Sequence, residues 1–300
     1  MPSSSALTQY IGRFAPSPTG PLHSGSLVAA LASFLDARSN QGKWLLRIEN
    51  IDPPREQPNA SELILKALET HHLFWDDAIV YQHDRFDIYR EVANSLIEQQ
   101  LAYYCTCSRQ QLKGHSIYPG NCRHCVEKPA VPAAIRVRCE AVEVYFEDAI
   151  QGPQRQQMDT DIGDFVIYRK DHLPAYQLAT AYDDVAQNIS HVVRGCDLID
   201  STPRQIYLQK LLGKTPPQYA HLPVLAKADG QKLSKQNLAA PLNPDTSNSN
   251  LLKALTLLNQ APPESLVGAS CADIIDWAIS NWQLNRIPRT SAIRKTQPDF

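Results

Sequence analysis

Between residues 10 and 49 a short apolar strand, a proline-rich loop, an apolar-faced helix and a second strand follow one another, and no other feature restricts the fold as much. Residues 10–14 read as a strand that runs into Ala15-Pro16-Ser17-Pro18-Thr19-Gly20-Pro21, where the prolines fix φ and remove backbone donors. Beyond it Leu27, Ala30, Leu31, Phe34 and Leu35 recur at helical spacing, with Ser24 or Ser26 placed to cap the helix. Gly42 breaks that helix, residues 44–48 form the second strand, and Glu49 falls at its carboxyl end. Such a βαβ unit predicts a parallel sheet with ligands beyond the carboxyl ends of its strands, where the loop, His23 and Glu49 converge.

Downstream, helices are expected at residues 61–71 and 85–99, the latter carrying Tyr89, Val92, Ala93, Leu96 and Ile97 at helical period. After these helices the sheet is expected to pause. Residues 103–187 then carry short strand-like segments at 135–138, 142–146 and 165–168, and read as an insertion into the core. A core strand returns at 191–194, a helix follows at 202–212, and the chain ends in helical stretches near 251–258 and 273–282. The expected organisation is an α/β Rossmann-type catalytic domain over residues 1–245, interrupted at about 103–187, with a helical C-terminal region over 246–300.

Composition excludes several classes. Hydrophobic residues at 43% and charged residues at 20% describe an ordinary globular chain. No apolar run approaches the roughly 18 residues needed to span a bilayer, and residues 1–9 lack a signal pattern, so a cytoplasmic protein without a membrane partner is expected. A net charge of -2 argues against a general nucleic-acid coat, yet residues 201–240 hold six Lys and Arg against one acid. Four of the seven cysteines crowd into 105–125. In a reducing compartment, the pairs Cys105/Cys107 and Cys122/Cys125 fit a tetrahedral zinc site better than disulfides.

The loop chemistry is legible before any family is considered. Gly25 lets a nucleotide approach the backbone, the helix N-terminus at Ser26 favours negative charge, and His23 can donate to a phosphate oxygen. Far downstream, Lys232-Leu233-Ser234-Lys235-Gln236 supplies cations.

Taken together, Arg13-Phe14-Ala15-Pro16-Ser17-Pro18-Thr19-Gly20-Pro21-Leu22-His23-Ser24-Gly25-Ser26 resembles the HIGH-type signature of class I glutamyl- and glutaminyl-tRNA synthetases, and residues 232–236 resemble their KMSKS loop. Leu46-Arg47-Ile48-Glu49, Pro174-Ala175-Tyr176-Gln177-Leu178-Ala179 and Val193-Arg194-Gly195-Cys196-Asp197-Leu198 are similar to family segments as well. The resemblance implies ATP-dependent activation of L-glutamate, with the α-carboxylate attacking the α-phosphate. His23, Lys232 and Lys235 would be catalytic, and His23, Gly25, Ser26, Lys232, Ser234 and Lys235, with Mg²⁺, would hold ATP. It places Arg13, Phe14, Ala15, Pro16 and Ser17 along the amino-acid site, Glu49 on the α-ammonium, and Tyr176 with Arg194 on the γ-carboxylate, which an arginine fork matches in two-point geometry. Three cysteines and a tyrosine, here Cys105, Cys107, Tyr118 and Cys122, would hold Zn²⁺, with Cys125 the alternative to Tyr118.

The resemblance covers residues 10–236, leaving about sixty residues where a full-length synthetase continues into an anticodon-binding region. Gly25-Ser26-Leu27-Val28-Ala29-Ala30-Leu31 lacks the Arg-Thr usual in the full-length enzyme, and Ile51-Asp52-Pro53-Pro54-Arg55-Glu56 resembles the short paralogues of the family, which attach glutamate to queuosine at the wobble position of tRNA(Asp). The partner is then tRNA(Asp) bearing queuosine, the enzyme a monomer, and residues 204–235 a phosphate-contacting surface. Charging of a tRNA 3′ end and non-catalytic tRNA binding stand as alternatives. Asn50, Gln236 and Asp171-His172-Leu173 depart from the family's usual residues.

Overall fold

The computed structural model describes residues 9–226 and 241–294. Lys232, Ser234 and Lys235 fall outside the described residues.

The βαβ unit forms as its pattern dictates. Strand β1 (Ile11–Phe14) leads through the proline loop into helix α1 (Ser24–Ser39), and β2 (Lys43–Ile48) returns parallel to β1 with Ile11 opposite Lys43 and Phe14 opposite Leu46. Gly42 is required at the return because a Cβ there would lie 2.4 Å from the Tyr10 carbonyl oxygen. α1 is not capped by Ser24 or Ser26. Its cap is His23, whose Nδ1 accepts from the backbone amides of Gly25 at 3.1 Å and Ser26 at 3.3 Å.

Helix α2 (Ala60–Thr70) precedes a strand the periodicity did not show, β3 (Asp76–Tyr81), which joins β2 in parallel. The parallel sheet thus gains a third strand between the two expected helices. β3 evades pattern recognition because it opens on two aspartates and none of its residues is fully buried. Helix α3 (Phe86–Glu98) follows, then β4 (Ala102–Cys105), β5 (Ala134–Val137), the hairpin of β6 (Glu143–Asp148) and β7 (Gly152–Gln157), and β8 (Val166–Tyr168). β4, β5 and β8 make a small antiparallel sheet.

Helix α4 (Tyr176–Ala186) leads to β9 (His191–Gly195), α5 (Thr202–Leu211), β10 (Gln218–Leu222) and β11 (Val224–Ala226). Helices α6 (Ser247–Leu257) and α7 (Cys271–Asn281) pack on α1, and β12 (Ala292–Arg294) pairs with β11. β6 does not stand apart with the rest of segment 103–187, because its end pairs in parallel with β10 in the order β7-β6-β10-β9. β9 lies beside β1, with Ser190 N donating to Ile11 O at 2.9 Å, so the parallel sheet β1-β2-β3 and the mixed sheet β7-β6-β10-β9 meet there. Ligands of doubly wound sheets bind at such a meeting point, beyond the strand ends.

One apolar cluster joins α1, β1 and β2 to α6 and α7, and a second joins α3, α4 and α5 to the β5–β8 region. The departures at Asn50 and His172 have structural work: Asn50 Oδ1 accepts from His83 N at 2.9 Å, and His172 takes φ 64°, a left-handed turn position that glycine adopts without strain.

Candidate active site

At the β1/β9 junction lies a cavity of about 300 Å³. It is lined by Arg13, Phe14, Ala15, Pro16, Ser17, His23, Gly25, Ser26, Glu49, Tyr176 and Arg194, which brings together every described residue expected to hold glutamate or ATP. Leu222, Pro223, Val224 and Leu225 complete an apolar side.

The phosphate-binding end is set by the cap of α1. Because Nδ1 of His23 accepts two amides, its proton resides on Nε2, 3.1 Å from Ser26 Oγ. The imidazole is thereby a neutral donor at the positive end of a 16-residue helix. Gly25 permits this, since a Cβ would sit 3.1 Å from His23 Cε1. Pro241 forms a bridge with His23, and Leu242 N donates to Leu22 O at 3.1 Å, so the chain re-enters beside His23 directly after residues 227–240. Before that stretch, Val224 and Leu225 border the same cavity.

The opposite end is charged and buried. Arg13, Glu49 and Arg194 are 3%, 5% and 5% exposed. Beneath them sits a network that motif reading missed. Arg47 is fully buried and donates from Nη2 to Asp184 Oδ1 at 2.7 Å and to Glu49 Oε1 at 3.4 Å. Arg13 Nε donates to the same Asp184 oxygen at 3.3 Å, Thr180 Oγ1 to Glu49 Oε1 at 3.0 Å, and Arg85 Nε to Asp183 Oδ1 at 2.8 Å. Arg13, Arg47 and Arg85 thus offset Glu49, Asp183 and Asp184, as buried charges require. The available signal was the Asp183-Asp184 pair on α4, a helix without basic residues.

Burial pushes the Glu49 carboxyl above its usual range, although Arg47 and Arg13 oppose the shift. Burial would also raise Asp184, but Arg13 and Arg47 hold its carboxyl low. Tyr176 is pushed up by burial and by the Glu49 charge. Arg194 donates from Nε to His221 Nε2 at 3.1 Å and from Nη2 to Thr202 Oγ1 at 2.8 Å, while its buried Nη1 has no hydrogen-bond partner among the described residues. An unmatched guanidinium nitrogen on a residue that lines the cavity is what an anionic group would satisfy.

At the end of β4, the Sγ atoms of Cys105, Cys107 and Cys122 lie within 4.8 Å of one another. Tyr118 Oη is 3.4 Å from Cys105 Sγ and 3.5 Å from Cys107 Sγ, and the Arg136 guanidinium covers its ring at 4.0 Å. Cys125 is outside this group, its Sγ facing Glu127 O at 3.7 Å. Tetrahedral zinc with thiolate bonds of about 2.3 Å needs sulfurs roughly 3.8 Å apart, and Cys107 and Cys122 stand 3.5 Å apart.

Comparison with known proteins agrees with this geometry. Residues 10–258 match the family of class I tRNA synthetases (E and Q), catalytic domain. A Pseudomonas fluorescens protein named glutamyl-Q tRNA(Asp) synthetase is 51% identical over 296 residues, spanning 98% of this chain and 99% of its own. One of the same name from Ectopseudomonas mendocina is 50% identical over 291 residues, spanning 97% and 99%. Among solved structures, a glutamate tRNA ligase from Elizabethkingia meningosepticum in complex with its amino acid superposes with a TM-score of 0.79 at 25% identity, over 95% of this chain and 67% of that one. The chain belongs to the class I glutamyl/glutaminyl tRNA synthetase catalytic-domain family.

Proposed function

We propose that this enzyme activates L-glutamate with ATP and transfers the glutamyl group to the queuosine base at the wobble position of tRNA(Asp). The observation that carries the first half is the cavity that joins a helix-cap histidine to a buried Arg13/Glu49/Arg194 constellation. The second half is supported by similarity over nearly the whole length to proteins named for that transfer.

In this reading the glutamate ammonium pairs with Glu49, and the γ-carboxylate meets Nη1 of Arg194 beside Tyr176. Arg13 and the backbone of residues 14–17 close the amino-acid end. Its α-carboxylate oxygen forms a bond to the α-phosphorus of ATP, and the bond to the bridging oxygen of pyrophosphate breaks. No protein nucleophile takes part; catalysis comes from alignment and from donors placed where charge grows. His23 donates from Nε2 toward the phosphates, with Gly25 and Ser26 presenting the amino end of α1. Lys232, Ser234 and Lys235 are assigned to the triphosphate because the residues on both sides of that stretch border the His23 site. When bound, Mg²⁺ shares the triphosphate charge. In the second step a hydroxyl of the queuosine cyclopentenediol attacks the glutamyl carbonyl, and AMP leaves.

Cys105, Cys107, Cys122 and Tyr118 would hold a structural Zn²⁺ that ties the 105–122 loop to the end of β4. The catalytic unit is assigned to residues 1–245 with the 103–187 segment carrying that metal, and 246–300 to a helical appendage. No helix among the described residues is long and apolar enough to cross a membrane. A cytoplasmic monomer fits a reading in which one chain supplies every group used.

The test is pyrophosphate exchange into ATP, followed by glutamylation of tRNA(Asp) with and without queuosine. Exchange supported by glutamate and by no other amino acid, and acceptance only by the queuosine-bearing tRNA, is expected. Exchange without glutamate dependence would refute the first half. Equal acceptance by both tRNAs would refute the second and favour 3′-end charging.

A further inference from the structure

Behind Arg194, on the side away from the cavity, lies a buried chain of groups contributed by three elements. Asp148 at the end of β6 is 2% exposed, and His221 on β10 and Thr202 at the start of α5 are fully buried. His221 Nδ1 is 2.5 Å from Asp148 Oδ2, and His221 Nε2 is 3.1 Å from Arg194 Nε and 3.0 Å from Thr202 Oγ1. Arg194 Nη2 donates to Thr202 Oγ1 at 2.8 Å. Two of the three guanidinium nitrogens are thus committed to this chain, and Nη1, on a residue that lines the cavity, is left without a partner among the described residues.

Proton positions follow from donor and acceptor counting. Arg194 Nε can only donate, so His221 Nε2 must present its lone pair, and the ring proton must be on Nδ1, facing a carboxylate. Burial disfavours the charged ring, and a neutral Nδ1–H tautomer satisfies both neighbours. Asp148 is locked in turn, because its Oδ1 accepts from the backbone amides of Ile150 at 3.0 Å, Gln151 at 2.8 Å and His221 at 3.1 Å. Buried polar pairs of this kind contribute little net stability compared with apolar packing, so orientation is what the arrangement adds.

We propose that Asp148 and His221 are positioning residues that fix the Arg194 fork, through the single ring proton on His221 Nδ1, so that the site selects a carboxylate over a carboxamide side chain. This rests on the reading of Arg194 as the γ-carboxylate reader. Neither residue touches substrate; they act through Arg194.

Asp148→Asn tests it at constant volume. The three amides that face Oδ1 keep the amide carbonyl there, so the new NH₂ must point at His221 Nδ1 and turn it into an acceptor. The ring proton moves to Nε2, where it meets Arg194 Nε–H donor to donor. We expect the glutamate KM in ATP/pyrophosphate exchange to rise about 10- to 100-fold, the magnitude of a charge-assisted hydrogen bond. The preference for glutamate over glutamine should fall by a similar factor, with the ATP KM unchanged and thermal unfolding still cooperative. Long-range ¹⁵N–¹H spectra of the wild-type protein should show His221 protonated on Nδ1 alone. An Nε2–H or doubly protonated ring, or an Asp148→Asn enzyme whose glutamate KM and glutamate/glutamine preference match the wild type, would overturn the proposal. A wild-type enzyme with the Nδ1–H ring but no glutamate-dependent exchange would instead refute the assignment of glutamate as substrate.

Discussion

Nη2 of Arg47 and Oδ1 of Asp184 meet at 2.7 Å across 137 residues of sequence, both within 1% of complete burial. The pair ties the end of β2 to α4, and through it Glu49, bonded to Arg47, and Arg13, which shares Asp184, are held at the same end of the cavity.

Removing Arg47 should therefore be costly in a way that removing a surface arginine is not. Arg47→Met leaves Asp184 and Glu49 short of a cation in the core, and breaking a buried pair from one side costs about 3–5 kcal/mol. Arg90→Ala removes an exposed i,i+3 partner of Asp87 and should cost at most about 0.5 kcal/mol. Urea unfolding of the two variants measures the contrast; equal midpoints would contradict it.

Glu49 gives a prediction with a sign. Only its anion can pair with the substrate ammonium, and burial raises its pKa above the ordinary 4.5 in the free enzyme. Glutamate kcat/KM should fall as pH drops through that raised value, an acid limb lying above the range of an exposed glutamate. Glu49→Gln should lower kcat/KM and erase this limb. An unchanged limb in the variant would assign it elsewhere.

Acid should also weaken the fold. Asp148 and Asp184 are buried groups held below their usual carboxylate range, and His71, His191 and His221 are kept below 6.5 chiefly by burial. In all five the unfolded chain binds protons more readily, so their stabilisation is full above the unfolded pKa and is lost as pH falls through the folded one. The histidine share declines first, below about pH 6.5, and the carboxylate share below about pH 4. Thermal midpoints across that range read the order.

For the metal, Cys107→Ser should lose zinc, and Cys125→Ser should retain about one zinc per chain. Tyr118→Phe should release the ion to a chelator faster than wild type does. Loss of zinc from the Cys125 variant with retention in the Tyr118 variant would reverse the ligand choice.

How much of this was legible beforehand divides along a physical line. The βαβ unit, the loop and the residues at the strand ends were readable because local periodicity and proline chemistry decide them. Arg47 with Asp184 and His221 with Asp148 were not, since each pairing joins residues far apart in sequence that meet only in three dimensions. β3 was missed for want of a buried face, and the capping of α1 by His23 because serines on either side of Gly25 fit the ordinary preference. Tyr118 could not be separated from Cys125 by spacing, which says nothing about where a loop turns its side chains.

The position of the glutamyl group on the tRNA separates wobble-base transfer from 3′-end charging. tRNA(Asp) glutamylated with radioactive glutamate is digested with a ribonuclease and its fragments are separated. Counts are expected in the anticodon fragment that carries queuosine and none at the 3′ terminal adenosine; counts at that adenosine, or equal labelling of tRNA lacking queuosine, would rule out transfer to the wobble base.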